Sequence, residues 1–237
     1  MTGLSHILSD NPILTSLLIC HFLSDFQLQS QRVADRKSSN LIYLSFHLVG
    51  VAIPLLIMTV LQPKIWWLAL LIWISHACID YFKPQLTRLL KLTQSASFSL
   101  DQMLHLVIII LLGLSARNYV LPEWLSPTSL NLILFVVLIT KPTNIAFKLY
   151  FTKYQPKDIG KMDTIPGAGA TIGLLERIII AICLYFNQFA SIGLVFTAKS
   201  IARYDKISKD PAFAEYYLIG SLFSILSVLL VAWICLF

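Results

Sequence analysis

The sequence predicts an all-α, polytopic transmembrane helix bundle of about eight spans, with seven as the lower count. Three observations predict it. Apolar residues make up 57% of the 237-residue chain and charged residues only 13%, about half the ~25% usual for soluble domains, and mean hydropathy is +0.76. The apolar residues are gathered into runs close to the length of about 20 residues that carries a helix across a bilayer core. Short polar or proline-containing breaks separate those runs.

The runs fall near residues 12–29, 41–61, 65–82, 99–116, 129–150, 171–187, 188–204 and 215–237. Each reads as a helix, because lipid offers backbone groups no partner outside a helix or a closed barrel. The sixth and seventh are the shortest. The breaks are QPK at 62–64, LPEWLSPTS at 121–129, QPKDIGKMDTIPGAG at 155–169 and DKISKDP at 205–211. The N-terminal MTGLSHILSDNP lacks the basic region and small-residue cleavage site of a secretory signal, so the first run is expected to stay as a span. The whole chain, 1–237, then forms one integral membrane domain, with four runs in 1–116 and four in 129–237.

Lysine and arginine fix the expected orientation. With eight spans, 14 of the 18 fall on one side: Arg32, Arg36, Lys37, Lys83, Arg88, Lys91, Lys148, Lys153, Lys157, Lys161, Lys199, Arg203, Lys206 and Lys209. The other side holds Lys64 and Arg117, while Lys141 and Arg177 fall inside runs. The positive excess places the 14-residue side in the cytoplasm and both termini outside. The net charge of +6 is therefore a topology signal; it lacks the continuous basic face that nucleic acid requires. The four cysteines, Cys20, Cys78, Cys183 and Cys235, sit in apolar runs without close spacing, so neither a disulfide framework nor a thiolate zinc site is expected.

The chemistry lies in the histidines and aspartates. His21 and Asp25 stand in HFLSD, His76 and Asp80 in HACID, and Asp101 and His105 in DQMLH. Four residues on a helix return to one face. The first and third runs travel toward the cytoplasm and read His then Asp, whereas the fourth travels away and reads Asp then His. Every aspartate is thus shallow and every histidine one turn deeper. His47, four residues after Tyr43, joins the histidine layer. Three carboxylates and four imidazoles are expected at one level near the cytoplasmic face.

Strongly charged groups cost roughly 2.5–3.5 kcal/mol each in the hydrocarbon, so they must face one another or a wet cavity. Nitrogen and carboxylate donors suit zinc, manganese or iron(II), and an i, i+4 pair can bind an ion whose other ligands come from neighbouring helices. The candidate metal ligands are His21, Asp25, His76, Asp80, Asp101 and His105, for one ion or two. Asp25, His47 and Asp101 are the candidate acid/base groups, with His47 a further ligand or proton shuttle. A lone intramembrane His or Asp is more often a helix–helix bonding partner contributing about 0.6 kcal/mol, and that reading stands for any single pair. Gln27, Gln29 and Gln102 could orient the carboxylates or cap helix ends in interfacial water.

Towards the C-terminus, Glu176 and Arg177, then Lys199, Ser200 and Arg203, then Glu215, Tyr216 and Tyr217 are expected near the same face. Arg177, Lys199 and Arg203 could hold a phosphate or the head group of an anionic lipid or lipid-linked substrate; snorkelling to the interface is the plainer reading. The PGAGAT glycines offer an anion nest or a flexible turn. The P-loop pattern is absent, and no nucleotide cofactor is indicated.

The motifs HFLSDFQLQ (21–29), His47, SHACIDYFK (75–83), DQMLH (101–105), IGLLER (172–177), AKSIAR (198–203) and EYYLIG (215–220) together resemble a bacterial family of polytopic membrane proteins catalogued as a domain of unknown function. The resemblance implies a prokaryotic membrane location and carries no chemistry. More loosely, the His/Asp pattern is similar to that of membrane-bound metal-dependent hydrolases. Three functions follow for test: metal-dependent hydrolysis of a lipid or lipid-linked substrate, proton or metal-ion transport through the same residues with Lys141 on the path, and a non-enzymatic partner protein docking through its cytoplasmic loops.

Overall fold

A computed structural model describes residues 3–156 and 167–237, and among them every regular element is a helix. In chain order these are α1 (Ser5–Ser9), α2 (Pro12–Phe22) continued by a π-helical turn (Leu23–Gln27), α3 (Gln31–Arg36), α4 (Leu41–Leu61), α5 (Trp66–Leu89), α6 (Gln94–Ser115), α7 (Pro127–Ile139), α8 (Lys141–Phe151), α9 (Ala168–Tyr185), α10 (Phe189–Ala202), α11 (Tyr204–Lys209) and α12 (Pro211–Cys235). Starts are set by ordinary local chemistry. Asn40 accepts the Ile42 N–H at 2.8 Å, and Thr93 accepts the Ala96 N–H at 3.3 Å, the N-cap roles these residue types favour. Proline opens α2, α7, and α12, where its missing N–H costs nothing.

Among the described residues, six helices are long and apolar enough to cross a membrane: Leu41–Leu61, Pro63–Leu89, Gln94–Ser115, Pro127–Tyr154, Ala168–Tyr185 and Pro211–Cys235. They account for six of the eight apolar runs. The first run is shorter than its sequence reading, 11 residues of α2 and 5 of the π turn, and the seventh forms the 14-residue α10. The fifth run is broken between Ile139 and Lys141, where Pro142 restarts the helix as α8. Lys157, Lys161 and most of the 155–169 break lie outside the described residues. Gly167, at its end, starts α9 with φ +83°, a conformation that favours glycine.

The chain divides into two compact units, Met1–Val137 with Trp233–Phe237, and Leu138–Ala232. The division falls inside α7, and the last five residues return to the first unit. There, the Leu4 N–H donates to Trp233 O and the Ser5 N–H to Phe237 O, both at 3.1 Å. These two bonds tie the start of α1 to the end of α12 within the first unit.

In the first unit α2 packs on α4 and α6, and α5 packs on the same two, closing a circuit of four helices. Each turns one stripe inward. On α5 the buried stripe runs Leu68, Ile72, His76, Asp80, and on α6 it runs Gly113, Ile109, His105, Asp101. On α4 it is Met58, Leu55, Val51, His47. Apolar side chains thus fill one half of the bundle and ionisable ones the other, along the same helix faces. Most outward residues of α4 are apolar, as Leu41, Phe46, Val49, Leu56 and Val60 illustrate, the surface a lipid solvent accepts and water would not.

The helices α2 and α6 approach closely at Gly113, where an added Cβ would stand 2.8 Å from Leu14 Cδ1 and 3.0 Å from Leu14 Cα. This approach helps to set the spacing at which α6 presents Gln102 to α2, about three turns further on. Gly113→Val is therefore expected to destabilise the bundle by about 1–3 kcal/mol through overpacking, read by denaturation in detergent. Unchanged stability would show that the two helices are not held at this distance.

Candidate metal centre

All seven predicted intramembrane groups meet in the first unit. His21 and Asp25 come from α2 and its π turn, His47 from α4, His76 and Asp80 from α5, and Asp101 and His105 from α6. His21, His47, His76, Asp80, Asp101 and His105 are all at most 4% exposed, and the Asp25 side chain is 4% exposed. The π turn is a departure from the sequence reading, which assumed α geometry between His21 and Asp25. The Leu28 N–H reaches back five residues to Leu23 O at 2.8 Å. Such turns widen the helix locally and are frequent at functional sites; this one carries Asp25 into the bundle.

Four donor atoms converge at the centre. His47 Nε2 and His76 Nε2 are 3.0 Å apart. His47 Nε2 lies 3.4 Å from Asp25 Oδ1 and 3.1 Å from Asp80 Oδ2, and His76 Nε2 lies 3.2 and 3.5 Å from the same two oxygens. Ligands held tetrahedrally at 2.0–2.1 Å from zinc stand about 3.3–3.4 Å apart. Five separations of 3.0–3.5 Å match that edge length.

The surrounding contacts orient these donors. His105 Nδ1 donates to Asp101 O at 2.8 Å; a carbonyl only accepts, so the proton sits on Nδ1 and Nε2 is left with a lone pair, the arrangement that second-sphere carbonyls impose on ligand histidines. Gln102 is the bridge between α2 and α6. Its amide donates to Asp25 Oδ2 at 3.1 Å and approaches Asp101 Oδ2 at 3.4 Å, while its carbonyl accepts from His21 Nε2 at 3.2 Å. Gln29, oriented so that both ends are satisfied, donates to Asp25 O at 3.0 Å and accepts from the Ala34 N–H at 3.2 Å. In that orientation it steadies the Asp25 backbone. Gln27 is exposed. Among the described residues, three buried acceptor atoms in this cluster receive no hydrogen bond, His21 Nδ1, Asp101 Oδ1 and His105 Nε2, and a fourth, Asp25 Oδ1, faces the imidazole nitrogens of His76 and His47 at 3.2 and 3.4 Å without an aligned hydrogen bond. A cluster short of donors is a cluster suited to cations.

Two lysines that the sequence reading counted only as topology signals belong to the centre. Lys37, at the end of α3 and 9% exposed, donates to both Asp80 oxygens at 3.0 and 3.1 Å. Burial disfavours its ammonium, but the carboxylates of Asp25, Asp80 and Asp101 outweigh that and raise its pKa above the ordinary lysine value. Lys83 Nζ pairs with Asp101 Oδ2 at 2.9 Å. Lys83 follows Asp80 by three residues, a spacing that places both on one side of α5 and could have revealed it. Nothing local marks Lys37. With neutral imidazoles, three carboxylates and two ammoniums leave the centre one negative charge in excess. Any ion using Asp80 Oδ2 shares that oxygen with Lys37.

Of the predicted anion-binding set, Arg177 and Lys199 are engaged by other protein groups. Arg177 is buried in the second unit, where it donates to Ile139 O at 2.5 Å, Thr140 O at 3.5 Å and Asn144 Oδ1 at 2.5 Å. Those carbonyls are freed by the α7–α8 break, and a span can be interrupted only where such groups find new partners. Lys199 forms an ion pair with Glu176, donates to Ser221 Oγ at 3.0 Å and lies 4.5 Å from the Tyr217 ring centre. Arg203 is exposed.

Residues 13–142 match the family described as "Protein of unknown function (DUF3307)". The chain belongs to that family. The DUF3307 match contains every residue of the His/Asp centre, and both lysines, and ends before IGLLER, AKSIAR and EYYLIG. No curated protein and no solved structure matches the chain.

Removing Lys37 should expose the balance of charges. In chelator-treated protein, Lys37→Met leaves Asp80 buried without its cation and is expected to cost about 3–5 kcal/mol. Adding Asp80→Asn should recover most of that loss, because the unpaired charge is gone. Equal stability of wild type and Lys37→Met in detergent denaturation would contradict the assignment.

Proposed function

We propose that this DUF3307 protein is a metal-dependent hydrolase embedded in the bacterial cytoplasmic membrane, acting on a lipid or lipid-linked substrate near the cytoplasmic face, with both termini outside. The observation that carries the reading is the set of five donor separations, 3.0–3.5 Å, among Asp25, His47, His76 and Asp80. These four residues would hold the ion, and zinc, manganese and iron(II) all accept such donors. A divalent transition ion supplies Lewis acidity toward water and toward a phosphoryl or carbonyl oxygen. The excess of Lys and Arg on one set of loops supports the orientation.

The remaining residues handle protons and position. Asp101 is fixed by Lys83 and Gln102 and keeps Oδ1 unbonded, so it is placed to take a proton from water as the water oxygen bonds to the substrate's phosphorus or carbonyl carbon. The ester bond breaks, and the same proton passes to the leaving oxygen. His105 and His21 offer one further buried acceptor each. A proton relay is favoured by one observation, the His47–His76 contact at 3.0 Å. Against it, the bundle beyond the histidines is filled mainly by Leu14, Leu17, Val51, Leu55, Ile72 and Ile109, and the buried hydroxyls of Thr15 and Ser16 are committed to the backbone carbonyls of Leu8 and Pro12, so the described side chains there offer a proton few polar steps.

The test is made on detergent-purified protein assayed in vesicles of phospholipid or polyprenyl phosphate. Hydrolysis should vanish with chelator, return with one of the three metals, and fall at least 100-fold in Asp80→Ala together with its bound metal. A folded Asp80→Ala variant that keeps its full metal content would overturn the reading. Vesicles that move protons or divalent ions without hydrolysis would replace it with transport.

A further inference from the structure

The four-donor cage uses neither Asp101 nor His105 as a ligand, yet these two carry the unbonded atoms Oδ1 and Nε2, on side chains 3% and 2% exposed. A backbone carbonyl fixes His105 with its Nε2 lone pair presented, and Lys83 holds the opposite Asp101 oxygen, Oδ2, so that Oδ1 is left over. One donor atom each from Asp80, Asp101 and His105 lies within 4.8 Å of the others. Asp80 also belongs to the cage, and a carboxylate with two oxygens can serve two ions.

From this arrangement we infer that Asp80, Asp101 and His105 form a second divalent-cation site, bridged to the first through Asp80. The inference rests on the proposed function and deepens it. With two carboxylates to one imidazole, the set is richer in carboxylate than the four-donor cage, which suits manganese, an ion that takes oxygen donors readily. Two ions sharing a carboxylate act as a clamp on the attacking and leaving oxygens of a phosphoric ester, so phosphoric esters are the substrate class this site fits. With Asp101 engaged as a ligand in the two-ion form, its proton role would fall to another buried acceptor without a hydrogen bond, such as His21 Nδ1.

A second feature places substrate beside this site. A groove of about 230 Å³ between α5 and α6 is walled by Ile79, Phe82, Leu86, Leu100 and Leu104, and Asp101 and Lys83 also line it. A hydrocarbon chain lying there would bring a phosphate head to the second ion and to Lys83, which is 22% exposed. The phosphoric ester is accordingly a lipid one.

Manganese loading of the full-length protein in detergent, followed by elemental analysis and electron paramagnetic resonance, tests the inference. Two ions per chain are expected, with the exchange-broadened spectrum of a coupled pair, falling to one uncoupled ion in both His105→Ala and Asp101→Asn. The asparagine variant keeps an oxygen for Lys83, so the test survives misfolding of the alanine variant. Two ions retained in the folded variants would overturn the assignment. One ion in wild type, lost in His47→Ala, would remove the second site and leave the proposed function standing. No ion in wild type would remove both.

Discussion

Burying charge in a membrane governs this molecule. An ionisable side chain placed in hydrocarbon is tolerated only if partners of the other sign or strong hydrogen-bond donors surround it. Helices α2, α4, α5 and α6 each contribute at least one such group, and no single helix can satisfy its own. The closed circuit of four helices is the arrangement in which Asp25 meets His47 and His76, Asp80 meets Lys37, and Asp101 meets Lys83. Apolar packing of Leu14 against Gly113 and of Leu68, Ile72 and Ile109 in the other half holds the helices close enough for these contacts. Packing and polar pairing therefore depend on the same inward stripes.

The second unit obeys the same rule by different means. Its break between α7 and α8 frees backbone carbonyls, and Arg177 covers them. Glu176 is satisfied by Lys199 and by Ser224, whose hydroxyl donates to Oε2 at 3.2 Å. These groups are consumed by one another, whereas the first unit keeps buried acceptors in reserve. That difference separates a structural polar network from one able to take up a cation, and it agrees with where the DUF3307 match lies.

Much of this was legible in the sequence. Apolar runs of span length gave the helices, and the His and Asp spacing of four gave one inward face per helix together with a shared depth. The reversed order in DQMLH was the informative detail, since it puts Asp101 level with Asp25 and Asp80 only if alternate helices run in opposite directions. What the sequence did not disclose has physical reasons. A π turn has no compositional signature, so the local geometry at Asp25 was read as α-helical. Lys37 looks like any interfacial lysine until α3 folds its ammonium over Asp80. Arg177 resembles an anion binder because side-chain identity reports which groups can donate, and not to which acceptor they are already committed. The first and seventh runs end early because hydropathy does not register where a helix stops.

The central claim is that buried imidazoles and carboxylates form a first coordination sphere. X-ray absorption at the zinc edge on zinc-loaded protein in detergent tests it most directly. The account predicts a shell of nitrogen and oxygen at about 2.0–2.2 Å, the outer-shell scattering of two or more imidazole rings, and no sulfur. A sulfur contribution at about 2.3 Å, or an oxygen-only shell without imidazole scattering, would contradict it.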